Sequence, residues 1–377
     1  MQPTSPSTIS NPPTLPTELI EEILKDEVLS KQDLARCCLV SQRLLPTSCG
    51  PLYKQLVLRC SRFGGDQVKP TRSTLDLYHT LHRNATLRWL PTTLSFKPAR
   101  PGSLVKFRPH RTLRDWIEKF LVMIPNLKHL SFDYFVSAGV NYMPRSIVEN
   151  QGIISIDLGH LTYDQVAIIS RLPSLRMLRF RSLEMNQGAA SRLQLERPII
   201  PHLEVLEVLD CCRVEADIPA SLSHALRILR INLDKSKINF SLTRNLTHLY
   251  LKIQTYSSQV DYSPDLASLL QLRSLYLDGS DMASGSFGHD QTFLELTALL
   301  PTQDISLALV SPIPYSTLVY RLDSKVPLRI DELRLSPAPR PFSFNDQTSF
   351  DALSVSCASR RINVSFDLEE KIDVFHL

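Results

Sequence analysis

The feature that most constrains this chain is an apolar triplet with fixed internal spacing, Leu-x-x-Leu-x-Leu, recurring from Leu127 onward. It reads Leu127, Leu130, Phe132; Ile153, Ile156, Leu158; Leu175, Leu178, Phe180; Leu203, Leu206, Val208; Leu226, Leu229, Ile231; Leu246, Leu249, Leu251; Leu272, Leu275, Leu277; and, after a gap, Ile330, Leu333, Leu335. Three copies open alike, as IPNL, LPSL and IPHL. Successive residues of a strand point to opposite faces, so the apolar positions enter one core and the x residues between them face away. One copy alone has nothing on which to bury its apolar row. Copies must stack and share a core, which predicts a parallel sheet that curves as it grows.

Segments with helical spacing lie between the triplets and should cover the other face of that core: Trp116, Ile117, Phe120, Leu121; Tyr163, Val166, Ile169, Leu172; Leu266, Leu269, Leu270; Phe293, Leu294, Leu296, Leu299; and Phe350, Leu353, Cys357. Spacing of roughly 20 to 30 residues resembles that of leucine-rich repeats. The resemblance implies an α/β solenoid, a curved parallel sheet with outer helices. It is an irregular one: the Asn or Cys that closes a full repeat is present only as Cys211. The 11 glycines and 26 prolines suit variable connections. Ile305, Leu307 and Leu309 are a candidate extra strand, with the register of residues 280–330 left open. Ile362, Val364 and Phe366 suit a closing strand, and the terminal DLEEKIDVFHL a cap on the open core.

The stretch from Leu15 to Tyr53 has a different character. Pro16 suits a first helical position, and Glu18, Glu21 and Glu22 place negative charge where a helix dipole favours it. Leu15, Leu19, Ile20, Ile23 and Leu24 form an apolar stripe that one helix cannot bury alone. Ser30 and Asp33 resemble a capping box opening a second helix with Leu34, Cys37, Cys38, Val40 and Leu44 as apolar positions. Pro46 interrupts or restarts that helix, Gly50 and Pro51 mark a turn, and Leu56 and Leu58 read as strand. A module of about forty residues needs a neighbour or a partner to be stable. Cys60 to Ser73 reads as loop, Thr74 to His82 as helix, and Leu94 and Phe96 as a short strand. The following run carries Lys97, Arg100, Lys106, Arg108, Arg111 and Arg114 without an acid and reads as a solvated loop able to attract an acidic partner.

In order and spacing, Leu15-Pro16, Glu18-Leu19, Ile23-Leu24, Asp33-Leu34, Leu39-Val40-Ser41 and Leu52-Tyr53 resemble an F-box, the segment through which substrate receptors attach to a Skp-family adaptor in cullin-based ubiquitin ligases. The resemblance implies that Leu15, Pro16, Leu19, Ile23, Leu24, Leu34, Val40 and Leu44 form the helical core or the adaptor-binding surface. Leu44 and Tyr53 stand where Trp is common in that family, and the segment between Leu24 and Leu34 is longer by about two residues, which a loop absorbs. The expected organisation is a flexible leader over 1–13, an F-box over 14–58, and the solenoid over 59–377, clearest from about residue 113.

A formal net charge of +4 offers no global attraction for nucleic acid. No apolar run approaches the ~18 residues of a membrane span, and the Ser, Thr and Pro rich start has no signal-peptide pattern. Seven cysteines without a CxxC pair suit reduced thiols, so the expected location is intracellular, cytoplasm or nucleus, and the sequons at Asn84, Asn239, Asn245 and Asn363 are chance matches. His79 and His82 lack ligand companions for a metal, and Cys37 and Cys38 lack a base that would make them nucleophiles. No catalytic group and no cofactor is expected. The candidate ligand surface is the set of outward x residues, Lys128, His129, Arg176, Glu204, Arg227, Arg230, Thr247, His248, Tyr250, Arg273 and Tyr276. Together these features suggest a non-catalytic substrate receptor that docks adaptor and cullin subunits through the F-box and holds a protein substrate on the repeats. The alternative is a repeat scaffold or regulatory binding protein acting outside a ubiquitin ligase.

Overall fold

The structure is a computed structural model, and it describes residues 16–25, 29–40, 45–62, 68–99, 113–132, 146–184, 200–209, 223–233, 245–253, 269–278, 305–310, 315–323, 330–335 and 344–365. Three helices come first, α1 (Thr17–Lys25), α2 (Lys31–Val40) and α3 (Leu45–Lys54). The array follows as β1 (Gln55–Arg62), β2 (Val68–Pro70), α4 (Arg72–Arg83), β3 (Thr93–Pro98), α5 (Leu113–Met123), β4 (His129–Phe132), α6 (Ser146–Glu149), β5 (Ser155–Thr162), α7 (Tyr163–Ile169) and β6 (Met177–Glu184). It continues through β7 (Val205–Val208), β8 (Ile228–Leu233), β9 (His248–Ile253), β10 (Ser274–Asp278), β11 (Ile305–Val310), α8 (Tyr315–Leu322), β12 (Ile330–Leu335), α9 (Phe344–Ser359) and β13 (Asn363–Ser365). Among the described residues no helix is long and apolar enough to cross a membrane.

All these strands form one 13-stranded sheet in which β13 to β3 lie in chain order, followed by β1 and then β2. Every pairing is parallel except β1 with β2. The chain is therefore an α/β solenoid of the leucine-rich-repeat kind. Its core is built in rows. Leu56, Leu94, Leu130, Ile156, Leu178, Leu206, Leu229, Leu249, Leu275, Leu307, Leu333 and Val364 stand in register from one strand to the next, and all but Val364 are buried. A second row passes through Leu58, Phe96 and Phe132, where the two phenyl rings stack with centroids 5.1 Å apart. It resumes at Leu158 and runs through Phe180, Val208, Ile231, Leu251 and Leu277 to Leu309 and Leu335. Trp116, Ile117, Phe120 and Leu121 of α5, Val166 and Ile169 of α7, and Leu353 and Cys357 of α9 are buried against this core, as their helical spacing predicts.

The array begins earlier than the triplets announce. Leu56, Leu58, Leu94 and Phe96 belong to the same two rows, so residues 55–58 are the first half of β1, and α3 runs into that strand without a break. The segment from Cys60 to Ser73 is not simply loop: β1 continues to Arg62, and β2 pairs back on it antiparallel, Cys60 opposite Pro70. Pro70 is tolerated there because β2 is an edge strand with no further neighbour to bond. In α4 the Thr71 hydroxyl accepts the Thr74 N–H at 3.4 Å, capping a helix that starts two residues before the predicted one.

Ile305, Leu307 and Leu309 form β11, filling the place between β10 and β12. Ile305 stands one position late relative to the triplet, and the register with β12 shifts between Ile305 and Ser306. Leu270 sits in a turn with its side chain exposed and does not cover the core, unlike Leu269. Residues 1–15, Leu44, Cys211, most of the basic run, Leu266, Phe293 to Leu299, Phe366 and the terminal acidic segment lie outside the described residues.

Leu307 is fully buried in a strand that the triplet pattern does not announce. Leu307→Ala should lower unfolding free energy by about 2–5 kcal/mol, measured by urea denaturation.

Candidate interaction surfaces

The outward residues are ordered by the same register as the core. The Thr92 carbonyl accepts the N–H groups of Lys128 and His129 at 2.8 and 2.9 Å. The pattern repeats: Lys128 O takes Ile154 and Ser155, Arg176 O takes Glu204 and Val205, Arg227 O takes Thr247 and His248, and Thr247 O takes Arg273 and Ser274. Each strand is thereby pinned where it starts, which lines up Lys128, Arg176, Glu204, Arg227, Thr247 and Arg273 along one edge. In the middle of the strands a further row runs Ser131, Asp157, Arg179, Glu207, Arg230, Tyr250, Tyr276.

That middle row is a bonded ladder. Ser131 donates to the Asp157 carboxylate at 3.2 Å. Glu207, only 2% exposed, lies 2.9 Å from the Arg179 Nε and 2.8 Å from Arg230 Nη1. Burial pushes the Glu207 carboxyl up and the two guanidiniums pull it back, burial being the larger effect. The Arg230 guanidinium sits 4.3 Å from the centre of the Tyr250 ring, and Tyr250 stacks on Tyr276 at 4.2 Å and 14°. Tyr250 donates its hydroxyl to Asp278 at 2.8 Å, and burial with that bond holds its phenol protonated. Arg230, Tyr250 and Tyr276, read from the sequence as candidate ligand contacts, are thus engaged with one another across neighbouring strands. Arg179, Glu207 and Asp278 complete the ladder and were not singled out. Their only sequence signal is that they occupy outward positions in adjoining repeats, with opposite charges facing once the repeats are aligned.

The edge row is different. Arg176, Glu204, Arg227, Thr247, His248 and Arg273 line a groove of about 890 Å³ across the starts of β6 to β10. Arg176 and Glu204 pair at 2.9 Å in the open. Arg227 and Arg273 have no carboxylate partner among the described residues. The Thr247 hydroxyl donates to the Arg227 carbonyl at 3.1 Å, so its oxygen receives the Nδ1 proton of His248 at 2.8 Å. Burial and the nearby Arg273 hold the His248 imidazole below its ordinary range. Lys128 and His129 stand further along the array, and burial followed by Lys128 depresses His129 as well.

In the helical module, Leu24 and Leu34 are buried and form its core. Pro16 is exposed, and Leu19 at 46% and Ile23 at 54%, one turn apart on α1, and Leu39 at 87% on α2 are apolar side chains open to solvent. Leu39 was not among the expected docking residues, because it lies off the stripe that periodicity marks in α2. Val40 ends α2, while Leu15 and Leu44 lie outside the described residues. Ser30 accepts the Asp33 N–H at 3.2 Å and donates back to the Asp33 carboxylate, which lowers that carboxyl below its usual range. Tyr53 packs on the array core, and Lys31 donates to the Gln55 carbonyl, tying the module to the start of the sheet. Burial, then Cys38, pushes the Cys49 thiol up, the opposite of an activated nucleophile.

No family model matches the chain, and no curated protein matches it. Among solved structures, an internalin C2 from Listeria monocytogenes is 17% identical over 54% of this chain and 84% of its own, with a TM-score of 0.26. An internalin F from the same organism is 12% identical over 92% of this chain and 86% of its own, with a TM-score of 0.32. At these values neither likeness adds to what the sheet topology shows.

Glu207→Ala should cost about 3–5 kcal/mol, because it leaves two guanidiniums facing each other without their carboxylate. Arg176→Ala, which breaks an exposed pair, should cost under about 1 kcal/mol in the same denaturation series. Since His129 and His248 are depressed in the folded chain, the unfolded chain takes up their protons first as pH falls. Stability should therefore drop as pH falls below the ordinary imidazole value of about 6.5. A His129→Gln, His248→Gln double variant should show a flatter dependence of Tm on pH between 7 and 5.5.

Proposed function

We propose that the chain is a non-catalytic substrate receptor of a Skp-cullin-F-box ubiquitin ligase. Its helical module would dock a Skp-family adaptor, and its repeat surface would hold a protein for ubiquitin transfer by other subunits in the cytoplasm or nucleus. The observation that carries this reading is the exposure of three apolar side chains, Leu19 and Ile23 one turn apart on α1 and Leu39 on α2, on helices that bury Leu24 and Leu34. Positions that match the F-box order are thus divided between a small core and a face left for another protein. The mechanism is tethering: holding substrate beside the transfer site raises its effective concentration without any catalytic group in this chain.

A second reading has one observation in its favour. Tyr53 and Lys31 tie the helices to β1, so the module also caps the array, as solenoids require. The chain would then be a scaffold acting outside a ligase. Pull-down of a purified Skp-family adaptor separates the two. Leu15→Ala, Pro16→Ala and, independently, Ile23→Ala, Leu39→Ala should reduce adaptor recovery at least tenfold while the array's thermal transition is retained. Equal recovery by wild type and both variants would overturn the docking site, and no recovery by wild type would favour the scaffold.

A further inference from the structure

The edge groove and the middle row share a face but differ in how much of their charge is spent. In the middle row, Glu207 is held between Arg179 and Arg230, Arg230 also lies over Tyr250, and Asp278 receives the Tyr250 hydroxyl. A ligand contacting that row would have to compete with bonds already made. In the edge row three arginines face one carboxylate, Glu204, and that carboxylate is taken by Arg176. The guanidiniums of Arg227 and Arg273 meet no carboxylate among the described residues, and both residues are exposed. Guanidinium forks bind carboxylates or phosphates in bidentate fashion, so two such arginines along one groove favour an anionic occupant.

The spacing narrows the occupant further. Arg227 precedes β8 and Arg273 precedes β10, with Thr247, which precedes β9, between them, and the carbonyl ladder holds all three at equivalent positions. Neighbouring strands lie about 4.8 Å apart, so these two arginines are rooted roughly 10 Å apart along the groove. An extended ligand in the polyproline II conformation advances about 3.1 Å per residue with three residues per turn, so its side chains three residues apart share a face and are separated by about the same distance. The groove also spans five strand starts, far more than one inorganic anion would occupy. The uncharged Thr247 and His248 between the arginines suit an uncharged stretch of the ligand, the imidazole being held neutral by burial and by Arg273.

We infer that the groove across the starts of β6 to β10 binds an extended acidic segment of a partner protein, with carboxylate side chains about three residues apart engaging Arg227 and Arg273. This deepens the substrate-receptor reading, on which it rests, by naming the chemistry of the cargo. It does not depend on the adaptor, so the two can fail separately.

The test is a fluorescence anisotropy titration of the full chain, without adaptor, at low salt. The probe is a labelled Gly-Ser peptide carrying glutamates at positions i and i+3, with a glutamine version as control. The glutamate peptide should bind at least tenfold more tightly. Arg227→Glu, Arg273→Glu should abolish that preference, and Arg227→Gln, Arg273→Gln should reduce it at least fivefold, with Tm unchanged in each. Lys97→Glu, which changes the charge by two as the double glutamine variant does but on an exposed residue of β3 outside the groove, should leave binding intact. Raising salt should weaken binding to wild type and have little effect on the double glutamine variant. The inference is overturned by no saturable binding of the glutamate peptide, by equal binding of the glutamine peptide, or by a loss with Lys97→Glu as large as with the groove variants. Equal competition by a short oligothymidylate would also overturn it, marking a general anion surface. The adaptor-docking variants should leave peptide affinity unchanged, and failure of the wild-type chain to recover adaptor would speak against the ligase reading and not against the groove.

Discussion

Everything in the array depends on apolar side chains being buried by the same side chains of the next strand. Leu178 is covered because Ile156 and Leu206 flank it in register, and each of those is covered in turn by its own neighbour. Burying a leucine stabilises by about 1.5–3 kcal/mol relative to leaving it exposed, so a missing strand would expose a row on each side of the gap. This is why β11 must exist between β10 and β12 although its first apolar residue is displaced. It also requires the ends to be treated differently. At one end α3 feeds directly into β1, with β2 turned back antiparallel along the edge. At the other, α9 packs beside α8, with Tyr315 edge-on to Phe350 and Arg360 paired to Asp323 at 3.3 Å.

Register that stacks leucines also stacks whatever stands between them. Opposite charges at equivalent positions of successive repeats therefore meet across a strand spacing, which places Arg179 and Arg230 on either side of the buried Glu207, while the tyrosines of the next two repeats stack. Such a row is rigid and already satisfied. One row closer to the strand starts, arginines alternate with Glu204 and Thr247, and the charges do not cancel. The division between a structural row and an available one thus follows from which residue types adjoining repeats happen to place in line.

The core rows from Leu127 onward were legible because the triplet spacing is a direct consequence of strand geometry. The rows at Leu56 and Leu94 were harder to see. Each has only the Leu-x-Leu half of the triplet, and long insertions separate them from the regular copies. Ile305, Leu307 and Leu309 did mark β11 as a strand, but Ile305 stands one residue late, which left the register of residues 280–330 open. For the surface, the outward residues could be listed from the sequence, but not their fates. Arg230 and Arg227 look alike in the sequence, and only pairing of β7 with β8 shows that one meets Glu207 while the other lines the groove. Leu39 was missed for a related reason: exposure of an apolar helix residue depends on how α1 and α3 pack, which periodicity within α2 does not encode.

The helical module and the array are continuous in chain and in packing, yet their exposed faces differ in kind, one apolar and one cationic. The central claim is that these are separate working surfaces, one for attachment and one for cargo. Hydrogen–deuterium exchange of the full chain with and without a saturating Skp-family adaptor tests it most directly. The expected result is protection confined to peptides from α1 and α2, with β6 to β10 exchanging as in the free chain. Protection spread along the strand starts of β6 to β10, or none in α1 and α2 under saturating adaptor, would contradict it.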